Sequence, residues 1–163
     1  MRHVLRRLSL IALVTATATN TFSPLHAEQV KNVKGSATFV SVNSTMKENS
    51  DGTKDFDIVS ENVVWNTSGD KLADNAYYGT CKGPGKLDKK NVYTGHYTCI
   101  YHVTDKDTYT IDNDDGMEGG KFKITQGTGI FKNAKGEGKY TYTWQNSDGD
   151  RGTYDYEMKL VLP

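Results

Sequence analysis

Residues 124–140, "ITQGTGIFKNAKGEGKY", carry four glycines in twelve positions: Gly127, Gly129, Gly136 and Gly138. Two uses of such glycine are open: a phosphate cradle or a corner in β-structure. A P-loop requires G-x-x-x-x-G-K-[ST], and the dinucleotide fingerprint requires G-x-G-x-x-G opening a helix. Neither spacing is present. "GTGIFK" has no third glycine in register, and "GEGKY" runs into "KYTYTW", which alternates like a strand. The stretch therefore reads as a strand end, a tight corner at "IFKNAKG" and a new strand. Asn133 suits the left-handed backbone region there. Gly136 suits the end of a type I turn. Gly127, Gly129 and Gly138 suit bulges or close strand approaches.

The pattern outward from this corner is the same. In "RGTYDYEMKLVLP", Tyr154, Tyr156, Met158, Leu160 and Leu162 share one face, and Asp155, Glu157 and Lys159 share the other. In "KYTYTW", Tyr140, Tyr142 and Trp144 alternate with Lys139, Thr141 and Thr143. "NSDGDRG" between them reads as a hairpin turn, because Asp-Gly supplies positive φ. Six further segments complete a series of eight: "SATFVSVNSTM", "DFDIVSENVVW", "NAYYGTC", "VYTGHYTCIYHV", "DTYTI" and "GKFKIT". The turns between them are "NSDGTK", "NTSGDKL", "KGPGKLDKKN" and "NDDGMEGG". No segment has sustained helical periodicity. Eight short strands at close spacing predict an all-β fold, an eight-stranded antiparallel up-and-down β-barrel, since closure removes exposed strand edges.

The corner also carries a resemblance. "GTGIFKNAKGEG" resembles the G-T-G-x-F-x-G-A-x-G-x-G corner of allene oxide cyclase barrel-like and dirigent-like proteins, with Gly127, Thr128, Gly129, Phe131, Ala134, Gly136 and Gly138 matching. Gln126 stands where a leading glycine is common, and Asn133 where glycine is usual. The "CKGPG…YTCIYHVTDKD" region is similar to exported bacterial members of unknown function. The resemblance implies a calycin-like eight-stranded barrel. It transfers no catalytic residue, because no cyclase or dirigent active-site motif is matched.

Residues 1–27 read as a secretory signal peptide: Arg2, Arg6 and Arg7, an apolar run Leu8–Val14, a small-residue zone, and "LHA" before Glu28. The apolar run is too short to span a bilayer. Arg6–Arg7 also fits, loosely, a twin-arginine signal. Cleavage leaves residues 28–163 as one β-barrel domain, periplasmic or extracellular, with 17 Lys and Arg against 20 Asp and Glu. That balance argues against nucleic acid or an anionic membrane as the main partner. Cys81 and Cys99 remain. An even count in an exported chain favours a disulfide over two buried thiols, and a hairpin centred near residue 90 would set them opposite each other. Asn43 and Asn66 begin glycosylation sequons, relevant only in a eukaryotic source.

The chemistry-bearing residues give no catalytic constellation, metal set or cofactor motif. His96 and His102 are roughly 20 Å apart along a strand rising ~3.4 Å per residue, too far to share a metal. Either is a lone acid–base group in a cavity or part of surface packing. The acidic run from Asp105 to Glu118 does not fit an EF-hand: counting back from Gly116 puts Ile111 at the first ligand position. Tyrosine offers more. Tyr93, Tyr97 and Tyr101 share a strand face with Cys99, and with Tyr142, Trp144 and Tyr156 they are the expected lining of a ligand cavity; Tyr140 and Tyr154 lie among them. A tyrosine lining, with flat apolar bodies and polar tips, suits a small apolar or aromatic ligand; ordinary barrel packing accounts for the same residues. Three functions fit the sequence: a binding protein, a cyclase- or isomerase-type enzyme on a hydrophobic substrate, and an interaction protein with a packed interior.

Overall fold

The structure, a computed structural model, describes residues 28–163. The expected signal peptide, residues 1–27, lies outside the described residues. Eight strands follow in chain order: β1 (Gln29–Glu48), β2 (Lys54–Gly69), β3 (Tyr77–Leu87), β4 (Tyr93–His102), β5 (Thr108–Gly116), β6 (Gly119–Gly127), β7 (Lys135–Gln145) and β8 (Arg151–Leu162). Each pairs antiparallel with the next, and β8 returns to β1 through a register running from Gln29↔Leu162 to Val40↔Arg151. The sheet is therefore a closed up-and-down barrel, as the alternation predicts.

Alternation decides the two faces. Tyr156, Met158, Leu160 and Leu162 of β8 point inward and are buried, while Lys159 is exposed. Several strands run further than their sequences indicate. β3 continues through Gly83, Pro84 and Gly85 to Leu87, where a turn was expected, and β5 and β6 leave only Met117 and Glu118 between them. Pro84 pairs with Asp57 of β2, and the β3–β4 register skips from Lys82↔Thr98 to Gly85↔Gly95. A proline has no N–H to donate, so it is tolerated where a ladder is interrupted.

The glycine-rich corner closes one end of the barrel. A 3-10 turn, Gly129–Phe131, drops Phe131 into the base with 0% of its surface exposed, against Tyr109 at 5.2 Å between ring centroids. Two residues there have positive φ: Gly129 (56°) and Asn133 (64°). The left-handed assignment of Asn133 thus holds. Gly129 was expected at a bulge or close strand approach; it serves instead as the left-handed start of the 3-10 turn. The corner is tied to the β4–β5 turn. The Asp107 carboxylate accepts from the Ile130 N–H at 2.9 Å and the Thr104 hydroxyl at 2.8 Å, which lowers its pKa, and Thr128 Oγ1 donates to the Lys106 carbonyl at 2.8 Å.

Cys81 and Cys99 face each other across β3 and β4 and form a disulfide. Cys99 is fully buried, so the cross-link lies on the inner wall.

Candidate functional site: a tyrosine-lined barrel cavity

The interior is not filled. A cavity of about 500 Å³ runs down the barrel axis and opens at the end opposite Phe131. Its rim comes from the ends of the strands and from residues 145–150 between β7 and β8, with Met117 beside them. Below the rim the wall is rich in aromatic rings, with Ile58, Val64, Ile111 and Met158 among them.

The wall stays thin because large rings lie over glycines on the neighbouring strand. In the register, Tyr156 stands opposite Gly35, Tyr101 opposite Gly79, Tyr140 opposite Gly120, and Phe122 opposite Gly138. In each pair a Cβ on the glycine would collide with the opposing ring. The missing side chain lets the ring lie flat against the wall, and volume is left on the axis. A ring covering a cross-strand glycine is a recurrent sheet device.

Two hydrogen-bonded groups organise the polar tips. Deep in the barrel, the Tyr77 hydroxyl bonds those of Tyr109 at 3.1 Å and Tyr156 at 3.3 Å. Asn66 Nδ2 donates to the Tyr156 oxygen at 3.2 Å while its carbonyl accepts from the Leu72 N–H, so this sequon asparagine is engaged internally. The Tyr154 hydroxyl donates to Asn62 Oδ1 at 3.1 Å. Burial raises the pKa of Tyr77, Tyr109 and Tyr154 well above the phenol range and pushes Tyr101 up to about 12, so these groups stay neutral.

Nearer the mouth sits a carboxylate. Asp115 Oδ1 accepts from Tyr140 at 2.6 Å, Tyr142 at 3.0 Å and its neighbour's Gly116 N–H at 2.9 Å; Oδ2 accepts from Tyr142 at 2.9 Å. The Tyr140 oxygen also lies 3.1 Å from Asn113 Oδ1, and the Tyr93 and Tyr97 hydroxyls bond each other at the same level. Desolvation raises the pKa of Asp115, and the two tyrosine donors and the N–H only partly oppose it.

Of the six residues expected to line the cavity, five do so: Tyr93, Tyr97, Tyr101, Tyr142 and Tyr156. Trp144 does not. The β7–β8 register slips by one residue between Tyr142 and Trp144, from Tyr142↔Tyr154 to Trp144↔Thr153, and this bulge turns the indole outward to 56% exposure. Tyr140 and Tyr154 also line the wall. Both histidines are outside. His96 Nδ1 bonds Asp114 at 2.8 Å on the outer surface, and His102 stacks on Tyr78 at 4.8 Å. Asp115 is the residue that sequence reading missed. The signal was present: Tyr109, Ile111, Asn113 and Asp115 continue one alternation into what reads as a turn.

No family model matches the sequence, and no curated protein matches it significantly. The fold does have solved counterparts. The pterocarpan synthase dirigent protein GePTS1 superposes with a TM-score of 0.54 at 12% identity, covering 90% of this chain and 99% of its own. The pterocarpan synthase dirigent protein PsPTS1 gives 0.52 at 10% identity, covering 82% and 96%. The chain thus has the dirigent-type barrel fold that the "GTGIFKNAKGEG" resemblance implies, with an open, tyrosine-lined interior.

Proposed function

We propose that this protein is an exported binding protein that holds one small apolar or aromatic molecule in its barrel cavity. The observation that carries the reading is the cavity itself. Its volume falls in the 300–1,000 Å³ range of small-molecule sites, and its wall is rich in aromatic side chains with polar atoms converging among them. Export is supported by the Cys81–Cys99 disulfide, a bond that persists in oxidising compartments, together with the signal-peptide pattern of residues 1–27. Among the described residues no helix is long and apolar enough to cross a membrane. Native mass spectrometry of the protein purified from its own host tests the reading: a co-purified small molecule, displaced on denaturation, is expected. Protein that arrives bare and takes up no apolar compound from an added panel would refute it.

A second reading is favoured by Asp115. A carboxyl of raised pKa inside an apolar cavity, beside neutral phenols, has the make-up of an acid–base group for a cyclisation or isomerisation. Two counterparts of the same fold carry the name pterocarpan synthase. Conversion of a bound ligand that stops in Asp115→Asn, with binding retained, would select this reading over simple carriage.

A further inference from the structure

We propose that the cavity selects an organic cation: an apolar or aromatic body bearing a protonated amine, seated with its charge against Asp115. The inference rests on the ligand-binding reading of the cavity and names the class of ligand.

Three observations converge on it. The first is the charge of the lining. Among the described residues, no Lys, Arg or His contributes to the cavity wall, while Asp115, Asp148 and Asp150 all do. Asp150 is already paired with Arg151 at 3.3 Å, which leaves Asp115 within the wall and Asp148 at the rim.

The second is the bonding of Asp115. Its hydrogen bonds come from three donors, two phenols and one backbone N–H, all neutral, and no cationic side chain of the described residues pairs with it. Oδ1 accepts from Tyr140 and the Gly116 N–H, while Oδ2 has only a share of the single Tyr142 proton that bridges both oxygens. A carboxylate drawn out of water without a counter-charge is costly, and an ammonium N–H bound at Oδ2 would relieve that cost. A charge-assisted bond of this kind is roughly twice as strong as a neutral one. The direction of the Asp115 pKa agrees, since it reports a carboxylate that lacks compensation.

The third is the surroundings of the carboxylate. Tyr140 and Tyr142 touch it, their rings stand edge to face at 5.6 Å, and Tyr93 and Tyr97 line the cavity with them. The negative faces of phenol rings attract cations, more so where water is excluded. An anionic ligand would meet carboxylates and π faces with no cationic side chain to receive it. A neutral one would gain the apolar wall but not the charge.

Three probes built on one ring system test the proposal by calorimetric titration of the full mature chain: 1-naphthylmethylamine, 1-naphthalenemethanol and 1-naphthoate. At neutral pH the amine is expected to bind about tenfold or more tighter than the alcohol, a step of the size a desolvated cation–π and ion contact supplies, and the carboxylate weakest. Asp115→Asn is expected to abolish the amine's advantage over the alcohol. Alcohol and amine binding equally to the wild-type protein would overturn the charge selection and leave the ligand-binding reading standing. Failure of all three to bind would overturn both. The wild-type comparison requires no variant to fold. In Asp115→Asn with an unaltered circular dichroism spectrum, a retained preference for the amine would move the site away from Asp115 and equally overturn the proposal.

Discussion

The two ends of this barrel are built from the same strands and differ in almost everything else. At the base, the β6–β7 connection folds inward: Thr128, Gly129 and Asn133 steer a 3-10 turn that buries Phe131 completely, and Leu72 and Ala73 pack nearby on the core. At the mouth, connections are short or polar, Met117 is exposed, and a carboxylate stands among tyrosine hydroxyls. The base spends its residues on closure, and the mouth keeps the axis accessible. The difference teaches where stability and binding should separate under mutation: changes at the base should unfold the protein, and changes at the mouth should alter what it holds.

The largest effect is expected at the plug. Phe131→Ala removes a fully buried ring, and urea denaturation should show a loss of about 3–5 kcal/mol. A loss under ~1 kcal/mol would mean that the base is not sealed by this residue. Next comes the disulfide. Cys81 and Cys99 are 18 residues apart, and reducing the bond should cost about 3 kcal/mol through freedom regained by the unfolded chain. Recovery of both cysteines as free thiols from exported protein in non-reducing peptide mapping would contradict the pairing. Third is the corner backbone. Asn133→Val should cost about 1–2 kcal/mol because a β-branched residue resists positive φ, while Lys132→Val, at φ −59°, should be nearly neutral. Equal melting temperatures would show that the left-handed position is not needed.

At the mouth the sign reverses. A carboxyl whose pKa is higher folded than unfolded carries no penalty below the ordinary value of 3.8, and a growing penalty as pH rises through its folded value. Asp115→Asn should therefore match or slightly exceed the wild-type melting temperature at pH 7, and the advantage should fade as pH falls toward 4. The lowered pKa values of Asp51, Asp107 and Glu157 pull stability the other way with pH, but they are common to both proteins and cancel in the difference. A variant that is markedly less stable at pH 7 would show that the charged carboxylate is structural.

This division was only partly legible in the sequence. The strands were, because alternation of Tyr154 through Leu162 is a direct record of one buried face. So was the base, because a corner that requires positive φ advertises itself as glycine or asparagine. The mouth was harder to read. Trp144 follows the same alternation as Tyr140 and Tyr142, and the bulge that turns it outward arises from pairing with β8, which no local signal in "KYTYTW" records. Asp115 was hidden for the opposite reason. "NDDG" has turn composition, yet strand pairing carries β5 through it to Gly116 and points Asp115 into the barrel. Pro84 misled similarly, since its neighbours tolerate an interrupted ladder.

The proposed site for a small aromatic molecule is the cavity, not the outer wall. Titration with the neutral fluorophore N-phenyl-1-naphthylamine tests it directly in three proteins: wild type, Ser60→Trp and Trp144→Ala. Ser60 lines the cavity, so a tryptophan there projects into it and obstructs it; Trp144 stands on the outer surface. Saturable binding of one probe per wild-type chain is predicted, abolished in Ser60→Trp and unchanged in Trp144→Ala, with both variants folded by circular dichroism. Binding that survives the obstructed cavity at full strength, or that is lost with Trp144, would contradict the account.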